Sequence, residues 1–533
     1  MAPAAGLDRP QTARARWRST AKRSGDLMAL APYYDKAAIA AAQVVAGFDP
    51  ATFQRSLEGT SVGLSFADQA ATSREGGALL DLTVRLLARL YPTLALRPSG
   101  PAASKLAEEL SALARAINPR LDLADHANVG IAVGIDATPW TQTVYAGSDA
   151  WQGRVSVTGP CPVGDSPIPF GAGAAACLAA SEIFRLLLDP TAPTPGDGHL
   201  SCLDGVAPIL EADLPNEEWC LPSRTVLVGA GAIGQAATWA LARSPLTGTL
   251  HIADHEPIDA GNLQRYVLST TADIGNPKAT FAARHINAAA AEDTNRLTAI
   301  PHDTDWVGAR ADAGTEWEAA LTAVDSAAAR RAVQASLPRW AANAWTQPGD
   351  LGTSDHNFLR GACIACLYLP AGRSRNEDEL VAEVLGVPDL VHEIRTLLYQ
   401  GTPPPPDLLA TIAARLGVDP ATVTQFDPRS IRDLYVRGIC GGAVLPLRSG
   451  AVPAEVHVPL AHQSALAGVL LAARLARHAA GIVLPGTEVT RLDVRSHPPA
   501  RPSQPAAKDP RGLCLCQDKD YLSVFSQQWF SAD

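Results

Sequence analysis

The 533-residue sequence is poor in aromatic and charged side chains and contains only two methionines. Aromatic residues make up 5% and charged residues 18%, whereas apolar residues reach 47%, a balance that excludes an intrinsically disordered chain. Basic residues do not predominate, since the formal net charge is −10, and this argues against a nucleic-acid-binding protein. The longest apolar run, Ser464 to Pro485, is broken by Arg474, Arg477 and His478, so we expect a buried helix and no membrane span.

The amino-terminal region has no apolar signal core. Its first 25 residues contain six Lys or Arg and a single Asp. We therefore expect a disordered basic tail over residues 1–27 and a cytoplasmic protein, with a transit peptide or a misplaced start codon as alternatives. The richness in Ala, Gly, Pro and Arg is typical of a bacterial protein, and the length predicts two or more domains.

A strand, a glycine-rich turn and a helix follow one another after Arg224. The strand is expected at Thr225–Val228, and three glycines follow it at the spacing of a phosphate-binding turn: Gly229, Gly231 and Gly234. A second strand, Thr249–Ala253, leads into Asp254, which lies 20 residues beyond Gly234 and can hold ribose hydroxyls. Alone, this pattern predicts a Rossmann-like nucleotide site with NAD as the usual ligand.

Asn262, Arg265 and Lys278 follow within 24 residues of Asp254, in GNLQRY and DIGNPKA. A dehydrogenase needs no cation there, because its pyrophosphate already lies at the helix end. A site that splits a triphosphate does, since negative charge builds on the α-phosphate and on the departing pyrophosphate. Arg265 and Lys278 suit that task.

The sequence thus has, in this order, a glycine-rich turn, the ribose carboxylate Asp254, the segment GNLQRY and the segment DIGNPKA. This order resembles the adenylation domain of the ThiF/MoeB and ubiquitin-activating (E1-like) superfamily. The resemblance implies an α/β, Rossmann-like ThiF-type fold that adenylates the carboxyl terminus of a ubiquitin-like protein. It implies that Asn262 joins the other residues around ATP and that Asp325, in LTAVDSAAARRAVQ, binds Mg²⁺. A helix N-cap is the alternative for Asp325. Asn343 and Trp345 are expected to border the substrate channel.

Residues 28–215 show a similar strand–helix order without a glycine-rich turn. The expected elements are helices at Tyr34–Gly47, Gly77–Leu90 and Ala103–Ile117, and strands at Ser61–Phe66, Thr93–Arg97 and Val129–Val133. A buried helical segment, Pro167–Leu188, has a counterpart at Val458–Gly481. We therefore expect a duplicated fold, with a degenerate, inactive copy at 28–215 and an active ATP-binding domain at 216–370. Two unrelated domains are the alternative.

Such an internal pseudo-dimer resembles fused ubiquitin-activating enzymes. The sequence leaves open whether the chain also forms a homo-oligomer. In that superfamily the inactive partner often supplies an arginine finger. Arg55, Arg74 and Arg97 are candidates, and the sequence does not choose among them.

Residues 371–437 form an expected helical insertion, and residues 438–533 the remainder of the adenylation domain with a zinc-binding tail. The helical segments are NEDELVAEVLGV, DLVHEIRTLLYQ and PDLLATIAARLGV, with a loop at Pro403–Pro406. The insertion resembles the helical inserts near the thioester cysteine of ubiquitin-activating enzymes; a passive lid is the alternative.

Nine cysteines favour metal or thiol chemistry over a disulfide framework. The pairs Cys363-x-x-Cys366 and Cys514-x-Cys516 predict a four-cysteine zinc site, with a redox dithiol as the alternative. The second pair is one residue shorter than the pattern of ThiF/MoeB-like proteins. Cys440, in YVRGICGGAVLPL, resembles the cysteine that accepts the activated acyl group or sulfur, and burial beside glycines is the alternative. The remaining cysteines, expected to be packing residues, are Cys161, Cys177, Cys202 and Cys220.

The leading functional hypothesis is a ubiquitin-like modifier-activating enzyme that uses ATP and Mg²⁺, contains Zn²⁺ and forms a thioester at Cys440. Its expected partners are a ubiquitin-like or sulfur-carrier protein and a conjugating enzyme. The first alternative is an adenylyltransferase for a sulfur-carrier protein or a peptide without a covalent intermediate. The second is a dinucleotide-binding oxidoreductase or a nucleotide sensor.

Overall fold

The structure is a computed structural model that describes most of the chain. The described residues are 31–189 apart from 32 and 46, 196–203, 219–292, 297–369, 377–435, 458–482, 487–496 apart from 494, and 503–530. The predicted tail at 1–27 and Cys440 lie outside them.

The first half of the chain forms a seven-stranded sheet covered by helices. Its helices are α1 (Tyr34–Ala42), α2 (Pro50–Glu58), α3 (Asp68–Thr72), α4 (Arg74–Leu90), α5 (Pro101–Ile117) and α6 (Phe170–Leu188). Its strands are β1 (Ser61–Ala67), β2 (Thr93–Ser99), β3 (Asp122–Leu123), β4 (Val129–Val133), β5 (Gln142–Asp149), β6 (Gln152–Ser156) and β7 (Gly198–Ser201). The strand order is β3-β2-β1-β4-β5-β6-β7; the first five are parallel and the last two antiparallel.

The second half contains a nine-stranded sheet. Its strands are β8 (Trp219–Cys220), β9 (Thr225–Val228), β10 (Leu246–Ala253), β11 (Leu297–His302), β12 (Ala319–Thr322), β13 (Trp340–Gln347), β14 (Asp350–Asn357), β15 (Glu488–Asp493) and β16 (Ser503–Pro505). The helices that accompany them are α7 (Ala232–Leu241), α8 (Lys278–Glu292), α9 (Trp306–Ala313), α10 (Ala327–Ala335) and α11 (Ile364–Leu367). The order is β11-β10-β9-β12-β13-β14-β15-β16, with β8 beside the start of β10.

The two sheets share one topology. Strands β9 to β15 repeat the order of β1 to β7, with parallel pairing up to β13 and antiparallel pairing beyond it. The buried helix α6 lies between the sixth and seventh strands of the first half. Helix α17 (Ala461–Ala479) takes the same place in the second half and packs against α6. The predicted α/β class is confirmed, and the shared order is what a duplicated fold predicts.

The connection between β14 and α17 accommodates the helical insertion. Its helices are α12 (Glu377–Val384), α13 (Val391–Gln400), α14 (Pro406–Leu416), α15 (Pro420–Phe426) and α16 (Ile431–Asp433). Their apolar faces are buried, including Val381, Ile394, Ile412 and Ile431. The three helical segments expected from the sequence are therefore helices. A last helix, α18 (Lys519–Phe530), lies near the end of the chain.

Two expectations from the sequence need correction, and one helix could be mistaken for a membrane span. Helix α1 ends at Ala42, five residues before the expected end at Gly47. Cys220 is exposed at the edge strand β8 rather than packed in the core. Helix α6 is long and apolar enough to cross a membrane, but 89% of its most apolar window is buried inside the fold, as in a core helix.

Candidate functional site

The glycine-rich turn joins β9 to α7 with little space around its backbone. Gly229 has φ +96°, and a Cβ atom there would lie 2.7 Å from the Ala323 carbonyl oxygen. A Cβ atom at Gly234 would lie 2.1 Å from the carbonyl oxygen of Gly229. Helix α7 starts directly after Gly231, so its amino terminus faces the turn. Backbone N–H groups at such a helix start are suited to phosphate oxygens.

Asp254 is fixed beside this turn. It follows β10, which pairs in parallel with β9, so the ends of the two strands are neighbours. Its Oδ2 accepts a hydrogen bond from the Ala230 N–H at 2.8 Å, and its Oδ1 accepts one from the Glu256 N–H at 2.9 Å. The structure thus brings the predicted ribose carboxylate and the predicted phosphate turn into contact.

Lys278 reaches the same place because two short chain segments pair. The Ile258 N–H donates to the Asn276 carbonyl at 2.9 Å, and the Lys278 N–H donates to the Glu256 carbonyl at 3.0 Å. This pairing places the Lys278 Nζ 2.5 Å from Oε2 of Glu256. Burial disfavours the ammonium ion, but Tyr266 and the carboxylates of Asp254 and Glu256 outweigh it and raise the pKa of Lys278 above its usual value. Lys278 is therefore a buried, permanently charged cation beside the turn.

Tyr266 links the glycine turn to both predicted catalytic cations. A Cβ atom at Gly231 would lie 3.3 Å from the Tyr266 hydroxyl. The Tyr266 ring centre is 5.4 Å from the Lys278 Nζ and 5.7 Å from the Arg265 guanidinium carbon, both within cation–π range. Burial lowers the pKa of Arg265, while Tyr266 and Glu256 oppose that shift. Asn262 lies one turn earlier, where its Oδ1 accepts from the Asp259 N–H at 2.9 Å.

Asp325 is not the cap of the helix that follows it. Ser326 is the N-cap of α10, and its hydroxyl accepts from the Ala329 N–H at 3.1 Å. The Asp325 side chain is exposed, just beyond β12, the strand next to β9. The capping alternative is therefore wrong, and the carboxylate is available for another role.

Arg330 and Asn343 form a buried pair close to Asp325. Arg330 donates to the Asn343 amide oxygen, to the Ala344 carbonyl at 2.6 Å and to the Val324 carbonyl. The Asn343 amide also donates to the Tyr368 hydroxyl at 3.0 Å. Asn343 is thus wholly buried and engaged. Trp345 on the same strand is 7% exposed and lies against Gly352, where a Cβ atom would come within 2.2 Å of its ring.

Three residues at this site were missed from the sequence: Glu256, Tyr266 and Arg330. Glu256 lies two residues after Asp254, and that spacing was a usable signal. Tyr266 directly follows Arg265, but nothing in the sequence says that its ring turns toward the glycines. Arg330 lies in a helix where arginine is usually exposed, so only the tertiary fold reveals its burial.

The three candidate arginine fingers have contacts within their own half. Arg55 donates to the Thr52 hydroxyl at 2.9 Å, and Arg97 stacks 3.7 Å from the Trp140 ring centre. Arg74 is exposed at the start of α4. Among the described residues, the first-half arginines that donate to backbone carbonyls beside the glycine turn are instead Arg85 and Arg89.

The first half has a filled helix start where the second half has an open turn. Helix α3, rather than a glycine-rich turn, follows β1. At the start of α4 the buried Glu75 carboxylate accepts from the Ser148 hydroxyl at 2.5 Å and from the Ala150 and Ser166 N–H groups at 3.1 Å. Burial raises the pKa of Glu75, while these donors oppose that rise. A buried side-chain carboxylate, bound by three donors from other parts of the first half, thus belongs to the first turn of this helix.

The four paired cysteines converge on one cluster: Cys363, Cys366, Cys514 and Cys516. Their sulfur atoms all lie within 4.8 Å of one another, and three of the separations are 3.4, 3.5 and 4.0 Å. Four thiolates at about 2.3 Å from a tetrahedral ion would be about 3.8 Å apart. Bonded disulfide sulfurs would be about 2.05 Å apart. The short Cys-x-Cys pair therefore fits a four-sulfur metal site.

Family models match most of both halves. Residues 210–444 match the ThiF family, and residues 65–189 match Prokaryotic E2 family C. The y4jF protein of Sinorhizobium fredii (strain NBRC 101917 / NGR234), of uncharacterized function, is 40% identical over 523 residues, which cover 94% of this chain and 98% of that protein. This chain belongs to the ThiF/MoeB/E1-like superfamily. The family and the ThiF-type fold expected from the sequence are thus confirmed.

Two further ThiF-type proteins are similar over part of the chain. The sulfur carrier protein ThiS adenylyltransferase of Escherichia coli (strain K12) is 25% identical over 239 residues, 43% of this chain and 90% of that protein. Among solved structures, the microcin C7 biosynthetic enzyme MccB in complex with N-formylated MccA aligns with 56% of this chain and 67% of that chain, at 15% identity and a TM-score of 0.35.

Proposed function

We propose that this ThiF-family chain adenylates the carboxyl terminus of a ubiquitin-like or sulfur-carrier protein with MgATP. The observation that carries the proposal is the convergence of a phosphate turn, a carboxylate and two cations, one of them buried, at one end of the second sheet. Asp254 contacts the turn directly, and Lys278 lies beside it. A dinucleotide oxidoreductase or sensor gives these cations no task, so it is the weakest of the three hypotheses.

The residues present fit MgATP. The glycine turn and the start of α7 would hold phosphate oxygens, Asp254 the ribose, and the exposed Asp325 a Mg²⁺ ion. The carrier carboxylate would attack the α-phosphate, and the bond to the departing pyrophosphate would break. Lys278 and Arg265 would then stabilise the charge on the leaving group, so positioning and electrostatics supply the rate.

A peptide or sulfur-carrier substrate without a covalent intermediate is the second candidate. It is favoured by the similarity to the sulfur carrier protein ThiS adenylyltransferase of Escherichia coli. The helical insertion α12–α16 favours the ubiquitin-activating type. For that type we propose that the Cys440 thiolate attacks the acyl carbon of the adenylate and releases AMP, and that the resulting thioester passes the acyl group to a conjugating enzyme.

The E2 name of the first-half family model does not bring a conjugating thiol with it. A conjugating enzyme needs an accessible cysteine of ordinary or lowered pKa. The cysteines described in the matched region and just beyond it are buried, and burial raises the pKa of all three: Cys161, Cys177 and Cys202, the last to about 12. We therefore do not propose any of these three cysteines as a conjugating thiol.

We propose that the four-cysteine cluster holds Zn²⁺. All four ligands are sulfur, which suits a closed structural zinc site. Helix α18 is attached to this cluster, because Phe525 packs beside the cysteines and the Trp529 indole N–H donates to the Leu337 carbonyl at 2.9 Å. The metal would clip the last helix onto the catalytic half.

Carrier-dependent ATP–pyrophosphate exchange tests the proposed adenylation. We expect the purified chain to exchange labelled pyrophosphate into ATP only when its carrier protein is present. Lys278→Met should lower that rate by about a hundredfold or more, as the loss of one preorganised donor does elsewhere. Lys105→Met, in the exposed face of α5, is the matched control and should exchange at the wild-type rate. Exchange that needs no carrier, or that survives Lys278→Met, would contradict the proposal.

A Cys440→Ser variant tests the thioester step separately. We expect this variant to keep full pyrophosphate exchange but to form an oxygen ester, stable to thiols, in place of a thiol-labile adduct. Cys220→Ser, at an exposed cysteine outside every motif, is the control. A thiol-labile adduct on Cys440→Ser would exclude Cys440 as the acceptor, whereas the absence of any thiol-labile adduct on the wild-type chain would favour the second candidate.

A further inference from the structure

The segment Arg265–Ser269 carries a predicted catalytic cation and is held by the first half of the chain. Arg89, on α4, donates from Nη2 to the carbonyl oxygens of Tyr266 and Ser269, the latter at 2.7 Å. Arg85, one turn earlier, donates from Nη1 to the Val267 carbonyl at 3.1 Å. The half without a glycine turn therefore contacts the backbone of the other half directly beside the candidate ATP site.

The same segment is fixed from its own half by Gln235 of α7. The Leu268 N–H donates to the Gln235 side-chain oxygen at 3.2 Å, and the Gln235 amide donates to the Ser269 hydroxyl at 2.8 Å. Helix α7 begins at the glycine turn, so one helix of each half holds the segment between them. Tyr266, inside it, contacts the turn and both cations.

Burying the Arg89 guanidinium group in this position costs folding free energy. It is 2% exposed, and burial lowers its pKa to about 10, so the guanidinium stays charged at neutral pH. Within the described part of the chain, its Nε and Nη1 have no hydrogen-bond partner. A buried charge with unpartnered donors destabilises a fold, and the contacts that offset this cost here are the Tyr266 and Ser269 carbonyls.

We propose that the first half of the chain is a positioning element for catalysis, in which Arg89 and Arg85 hold Arg265–Ser269 in place before ATP binds. This inference rests on the proposed adenylation. Arg89 acts through the backbone of Tyr266 and Ser269 and is a positioning residue, distinct from an arginine that touches phosphate. Loosening the segment should slow the chemical step more than it weakens nucleotide binding, because only the transition state requires the cation in its final place.

A double-mutant cycle in pyrophosphate exchange is the test. We expect Arg89→Leu to lower kcat by about tenfold to a hundredfold while the KM for ATP changes less than about threefold. In an Arg265→Lys background, which keeps a charge and measurable turnover, the effect of Arg89→Leu should shrink to below about threefold, because both changes act through one group. Arg85→Leu should also lower kcat, but by a smaller factor. It replaces Arg89→Leu in the test if Arg89→Leu does not fold.

Arg243→Leu is the matched control. Arg243 also bridges the halves, through Asp81 of α4 at 3.1 Å, but it does not contact Arg265–Ser269. It should cost thermal stability without changing kcat. Equal losses of kcat in the Arg89 and Arg243 variants, or additive effects of Arg89→Leu and Arg265→Lys, would overturn the positioning role.

Hydrogen exchange separates this inference from the proposed function. In Arg89→Leu we expect the amides of residues 266–269 to exchange at least about tenfold faster, with no such change in Arg243→Leu. This measurement needs no carrier protein. Unchanged exchange would overturn the inference even if adenylation is confirmed, whereas a wild-type chain without carrier-dependent exchange would overturn the proposed function alone.

Discussion

Two adjacent glycines near the start of α4 have opposite surroundings. A Cβ atom at Gly76 would lie 2.0 Å from the Ala70 carbonyl oxygen, whereas a Cβ atom at Gly77 would meet no described atom within 4 Å beyond its chain neighbours and its own helix backbone. Gly76 is the third residue of α4, as Gly234 is the third residue of α7, and the same backbone clash arises at 2.1 Å there. The first half therefore keeps the glycine that allows close packing, although its phosphate turn is absent.

Alanine substitution should separate these glycines. We expect Gly76→Ala to destabilise the protein by about 2 kcal/mol or more, because a backbone carbonyl cannot move aside cheaply. Gly77→Ala should be neutral or stabilising by up to about 1 kcal/mol, since alanine favours the helix. Urea unfolding followed by circular dichroism measures both. A Gly76→Ala variant as stable as Gly77→Ala would show that the helix start can open.

At the scale of elements, the central helix α17 is tied to the second sheet by a buried ion-pair cluster. The Asp355 carboxylate on β14 accepts from Arg474 at 2.7 Å and from Arg477 at 2.5 Å. Arg477 also donates to the Leu203 carbonyl of the first half at 2.7 Å. One helix thereby connects both halves, beside its apolar packing against α6 and α7.

Replacing Asp355 should be costly and pH-dependent. Asp355→Asn deprives two buried guanidinium groups of the carboxylate that binds them both, so we expect a loss of about 3–5 kcal/mol at neutral pH. Burial alone would raise the pKa of Asp355, but the two arginines outweigh it and hold the pKa below its usual value. The carboxylate's stabilisation is therefore complete above about pH 4 and is lost as the pH falls below that value.

The measurement is the urea midpoint of wild type and Asp355→Asn from pH 7 downward. The difference between them should be constant above about pH 4 and shrink below it. Asp389→Asn, in the exposed pair with Arg415 of the insertion, is the control and should leave the midpoint unchanged. A gap between wild type and Asp355→Asn that does not narrow in acid would mean that Asp355 is not the ionised partner of these arginines.

For the whole molecule, the sequence predicts which residues form the phosphate turn and the cysteine cluster better than it predicts strands and long-range contacts. The residues of the phosphate turn and the cysteine pairs could be predicted because their spacing follows from what phosphate and metal require. Strands β5–β7 and β14–β16 were missed, since segments such as QTVYAGSD and DLGTSDHN contain few of the apolar residues that predict a strand. Tyr266, Arg89 and Glu256 were missed because their partners lie across loops or across the two halves, and only the fold brings them together.

The four-cysteine cluster joins two distant segments of the second half, because Cys363 and Cys514 are 151 residues apart. Removing one cysteine ligand should release both the metal ion and the chain segment that the metal holds in place. We expect Cys514→Ser to lose most of the one Zn²⁺ per chain and to expose Arg511 and Lys519, which flank the second pair, to rapid tryptic cleavage. A structural zinc site contributes about 10 kcal/mol or more, and the small apolar contact around Phe525 cannot replace it.

The glycine turn lies outside that cluster, so nucleotide binding should persist in Cys514→Ser with its dissociation constant within about threefold of wild type, as for distant and independent sites. Cys220→Ser, at an exposed cysteine outside the cluster, should keep both the metal and the protease resistance. Metal analysis and limited proteolysis on the same samples show whether the cluster binds zinc and whether the zinc holds α18. Full zinc content in Cys514→Ser would show that the sulfur atoms meet without sharing an ion. Protease resistance of α18 in a zinc-free Cys514→Ser sample would show that packing, not the metal, holds the helix.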